Sequence, residues 1–123
     1  MKKWLFVVLV LMSSVVIAQE GDFDIEGFRM EFTTAVSAYN VHINLFLGRG
    51  GREVNGYDAY QYLLTVVRLL EIGKANGFFT EEQYNEYVAN ITTMSFGMAT
   101  RAWNMGYESL ESMIAWVERN RLR

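Results

Sequence analysis

From Ile25 onward, apolar side chains return at steps of three and four, and no proline occurs anywhere in the chain. That spacing is the period of an α-helical turn, and no stretch sustains the alternation of a half-buried strand. A chain patterned this way buries its stripes by packing helices against one another. Its 123 residues suffice for one domain, and a hydrophobic content of 51% is too high for a disordered chain. The expected fold is all-α: a small up-and-down four-helix bundle that follows an N-terminal signal peptide.

The first helix is expected over 24–47. Ile25, Phe28, Phe32, Val36, Tyr39, Ile43 and Phe46 form its stripe, and either Asp22 or Asp24 can cap its start. Gly48-Arg49-Gly50-Gly51-Arg52 breaks it, and Asn55-Gly56 reads as a turn, which places the second helix over 57–76. Asp58, Gln61, Thr65 and Arg68 fall in one row of that helix, and most other positions are apolar. It is therefore expected at the centre, covered around most of its girth.

Gly77 suits the left-handed position after a helix, Thr80 with Gln83 reads as a capping box, and Phe79 with Tyr84 as a hydrophobic staple. So tight a junction makes the second helix and the third, over 81–105, antiparallel neighbours. On the third, Tyr84, Val88, Ile91, Ser95, Met98, Ala102 and Met105 form the expected core face. Beyond Gly106 the stripe resumes, out of register, at Leu110, Met113, Ile114 and Val117, which points to a separate fourth helix over 108–121.

Residues 1–18 have a different character. Lys2 and Lys3 precede fifteen uncharged residues from Trp4 to Ala18, small or moderate residues end the run, and Glu20, Asp22 and Asp24 follow. This is the layout of a cleavable signal peptide with its cut before Gln19, leaving residues 19–123 as the domain. The run falls short of the ~20 apolar residues that span a bilayer, so no stable membrane span is expected after cleavage. An exported domain without cysteine fits the bacterial periplasm or secretion. Cleavage removes two of the 11 basic residues, leaving 9 against 14 acidic ones, a net of −5 over 105 residues. That balance argues against nucleic acid as a partner.

The composition also removes much chemistry. Without cysteine there is no thiolate zinc site, iron–sulfur cluster or cysteine nucleophile, and one histidine excludes any mechanism that needs two. No Glu-x-x-His pair exists for a di-iron bundle. The chain is read as no enzyme, with no cofactor and no metal. His42 falls at the edge of the first helix's stripe, where packing at the core margin accounts for it. The alternative use of His42, with Met94 or Met98, is as ligands in a periplasmic haem- or copper-binding four-helix carrier.

Aromatic residues are the excess: Trp103, Trp116, seven tyrosines and seven phenylalanines after residue 18. Tyrosine, tryptophan and arginine together are what binding surfaces are rich in. Tyr57, Tyr60 and Tyr62 crowd the start of the second helix, beside the loop that carries Arg49 and Arg52. Arg49, Arg52, Tyr57 and Tyr62 are the expected contact face, with Tyr60 turned to the core. The expectation is a protein-binding role, as an inhibitor, immunity factor, chaperone or envelope accessory protein. Its partner would be another envelope or secreted protein, or a second copy of the chain.

Overall fold

A computed structural model describes residues 23–121; the expected signal peptide and its cut before Gln19 lie outside them. The described residues form an all-α four-helix bundle: α1 (Ile25–Leu47), α2 (Glu53–Ala75), α3 (Glu81–Asn104) and α4 (Leu110–Arg121). Local chemistry fixes most of the ends. Asp24 accepts a hydrogen bond from the Gly27 N–H at 3.0 Å and caps α1. Thr80 and Gln83 exchange side-chain-to-backbone bonds at the start of α3, and Ser109 and Ser112 do the same before α4. Gly77 and Gly106 take positive φ just past α2 and α3. At each, two backbone N–H groups turn back on the last free carbonyls: Phe78 on Gly73 and Gly77 on Lys74, then Tyr107 on Ala102 and Gly106 on Trp103.

α2 begins four residues earlier than the sequence pattern suggests. Asn55 does not make a turn; its side chain accepts from the Arg52 N–H at 2.8 Å and so caps the helix from within its first turn. Gly56 is a helical residue at a close crossing. A Cβ there would sit 2.7 Å from Met113 Cε and 2.8 Å from the Phe46 ring.

Glycine contacts also set the directions. Gly56, at the start of α2, meets Phe46 at the end of α1, while Gly73, near the end of α2, meets Phe28 at the start of α1. The two helices therefore run antiparallel, and they form the most extensive packed pair. Tyr84 at the start of α3 donates to Glu71 near the end of α2, as an antiparallel neighbour should. α4 lies on the first turns of α2. Met113 presses on Gly56, and the Tyr107 hydroxyl, just before α4, donates to Glu53 at 2.9 Å.

The core is aromatic at one end and mixed at the other. Phe28, Phe32, Phe78, Phe79 and Tyr87 meet mostly edge to face, with neighbouring centroids 4.7 to 6.3 Å apart. At the far end Phe46, Ala59, Met98, Ala102 and Met113 are wholly buried. Two expectations need correction. α2 is not covered around most of its girth: Val54, Tyr62, Leu64, Val67 and Ile72 are exposed. On α3 the buried residue of the second turn is Tyr87, while Val88 faces outward.

Candidate functional site

Four regions could carry function. The first is the arginine loop and the start of α2. Arg49 and Arg52 are exposed there, but the tyrosines beside them diverge. Five residues on a helix correspond to a rotation of about 140°. Accordingly the Tyr57 hydroxyl reaches 3.5 Å from Glu118 on α4, whereas Tyr62 stacks on His42 of α1. Tyr57 and Tyr62 thus do not form one patch with the two arginines, and Tyr60 packs half-buried against the core. At this end of the bundle α4 lies on the first turns of α2, through Met113 at Gly56 and Tyr107 at Glu53. What Arg52 does join is a notch of ≈ 220 Å³ with Glu53, Val54, Trp116, Val117 and Asn120. Trp116 forms its rim, tilted against Tyr107 at 6.0 Å. Burial, and then the hydrogen bond to Glu53, hold the Tyr107 phenol above its usual pKa. The loop itself is tied down by Arg101 of α3, whose Nη2 donates to the Gly51 carbonyl at 3.0 Å.

His42 is half-buried, its ring parallel to Tyr62 at 5.1 Å, and its Nδ1 is buried without a hydrogen-bond partner among the described residues. Leu47, on the same helix, faces α3, because its methyl groups lie 3.6 and 3.9 Å from a Cβ built on Gly97. His42 precedes Leu47 by five residues and so points about 140° away from that direction. Met94 packs half-buried against the core from α3, and Met98 is sealed inside it. His42 thus stacks on α2, and no contact brings it to either thioether among the described residues. Among the described residues, no group of three or more histidines, cysteines or acidic residues could hold a metal ion.

A third region is the cleft between α1 and α2. Met30, Glu31, Thr34, Ala35, Tyr62 and Thr65 line ≈ 400 Å³ of it. Met30, Thr34, Val41 and Leu45 follow one another along the outside of α1 at helical spacing, and three of them are large exposed apolar residues.

The fourth region was not anticipated, and it has the most exposed aromatic surface. Phe96 is 75% exposed and Trp103 67%, two turns apart on α3. Val88, Thr92 and Ala99 lie on the same side by helical spacing. From Tyr87 to Thr100, fourteen consecutive residues carry no charge. A helix side in water ordinarily carries charged residues opposite its apolar stripe. Here the second side is also apolar or neutral. A signal for it exists in the sequence: Val88, Phe96 and Trp103 are a second stripe, offset from Tyr87, Met98 and Ala102, in a run free of charge.

No helix among the described residues is long and apolar enough to cross a membrane. Comparison with protein-family models, curated proteins and solved structures finds no match.

Proposed function

We propose that this chain is an exported, non-catalytic protein that works by protein–protein contact, in the manner of an inhibitor, immunity factor, chaperone or envelope accessory protein. The observation that carries the reading is the exposure of Phe96 and Trp103 on a chargeless face of α3. Large exposed aromatics cost solubility, and contiguous apolar surface of this kind marks interaction sites. Interface anchors are drawn from tryptophan and other aromatics, with charge depleted around them. Export is supported by Lys2, Lys3 and the apolar run from Trp4 to Ala18.

Used as bait in an extract of its native envelope, the wild-type protein should retain a specific protein, its own chain included. Trp103→Glu should lose it. Retention of the same proteins by both baits places the contact elsewhere, and retention of none by the wild type removes the reading.

A further inference from the structure

Resting on that reading of α3 as a contact face, we infer that its occupant is a second copy of the same chain, paired with it antiparallel through α3. The first argument is charge. The chain is acidic, with a formal net charge of −3, so two copies repel wherever acidic groups face each other. Because residues 87–100 carry no charge, the outer side of α3 around Phe96 is uncharged over this stretch, and two copies can meet there without opposing like charges. Glu81, Glu82 and Glu86 stand at the helix start, and in an antiparallel pair these clusters are at opposite ends. In a parallel pair they would coincide.

The second argument is shape. A two-fold axis at the level of Met98 sets Phe96 of one copy opposite Thr100 of the other, and Trp103 opposite Thr93 and Thr92. Each large ring then meets small side chains, as helices packed ridge into groove require. A parallel pairing would put ring on ring and threonine on threonine, leaving gaps beside the rings.

The third argument is area. Phe and Trp bury about 150–250 Å² each. At the observed exposures, four rings supply roughly 400–700 Å² in total. With Val88, the threonines and Ala99 the face approaches about 1,000–1,200 Å², the lower end for a specific complex. An interface of this size belongs with weak, transient associations.

Sedimentation velocity of the purified protein, from low micromolar to near-millimolar concentration, should show a monomer passing reversibly into a dimer. Trp103→Glu and Phe96→Glu should stay monomeric throughout, while Met30→Glu, a charge placed on exposed apolar surface of α1, should dimerise like the wild type. The chain has no cysteine, so single thiols report the direction of pairing. Ala99→Cys should be joined between copies by a short bis-maleimide. Val88→Cys, about 30 Å from its counterpart in the antiparallel pair, should not. Cross-linking at both positions overturns the antiparallel arrangement. A wild type that is monomeric at every concentration overturns the dimer. If such a monomer still retains a different protein that Trp103→Glu loses, this inference fails and the contact-face reading stands; if it retains nothing, both fail. Dimers that persist in Phe96→Glu and Trp103→Glu overturn α3 as the pairing face.

Discussion

At the α2–α3 junction, Phe28, Phe32, Phe78, Phe79 and Tyr87 are all at most 8% exposed, whereas further along α3 Phe96 and Trp103 stand two-thirds or more in water. The same class of side chain is handled in opposite ways within one helix hairpin. At the junction the chain reversal itself brings rings together. The backbone of Phe78 is pinned to Gly73, and Gly73 leaves room for the rings of Phe79 and Phe28. Among the described residues no helix covers the second side of α3, which leaves Phe96 and Trp103 exposed. Aromatic content alone therefore does not separate core from exposed surface; what separates them is whether a neighbouring element exists to receive the ring.

The contrast can be broken by substitution. Phe79→Ala removes the ring that touches Phe28, Phe32, Phe78 and Tyr87, and it should cost about 3–5 kcal/mol, as for other buried aromatics. Equilibrium denaturation measures this. A loss below ~1 kcal/mol would mean that the junction is not the sealed end of the core.

Alkaline titration probes the core without mutation. Burial holds the phenols of Tyr39 and Tyr87 well above the ordinary value of 10.0, with Glu86 adding to the effect at Tyr87. A raised phenol pKa means that the fold favours the neutral form. That contribution is complete below pH 10.0 and declines as the pH rises past it, because the unfolded phenols ionise first. Absorbance of tyrosinate should show buried phenols that ionise only together with unfolding. A single smooth titration in a fully folded chain is the opposing result.

Gly56→Ala comes next in size. The added methyl meets Met113 and Phe46, both wholly buried, so neither can swing aside into water. Overpacking of this kind costs about 1–3 kcal/mol, although alanine is intrinsically the better helix former. A gain in stability from this change would show that the crossing of α1, α2 and α4 is looser than described.

Much of this architecture was legible beforehand, and for identifiable reasons. The spacing of Leu110, Met113, Ile114 and Val117 predicts a stripe and all four are buried, and the Thr80–Gln83 box forms as spaced. Such features are local, since periodicity and caps are decided within a few residues. The misread positions depend on distant partners. Asn55-Gly56 has the composition of a turn, and only the arrival of Phe46 and Met113 makes Gly56 a helical packing position. Val88 and Tyr87 are equivalent on propensity, and the choice between them is set by where α1 and α2 lie. The spatial grouping of the exposed side chains is the least legible part. Arg52, Tyr57 and Tyr62 are close in sequence, but a helix sends Tyr57 and Tyr62 in different directions. Phe96 and Trp103 lie seven apart and emerge together.

On the proposed reading, Phe96 and Trp103 serve contact and not folding. Chemical denaturation of the Phe96→Ser/Trp103→Ser double variant tests it most directly, in protein dilute enough that self-association adds nothing to stability. The predicted result is a change within about 0.5 kcal/mol of wild type, as for ordinary surface sites, in a chain that no longer associates when concentrated. A loss comparable to that of Phe79→Ala, with association intact, would contradict it.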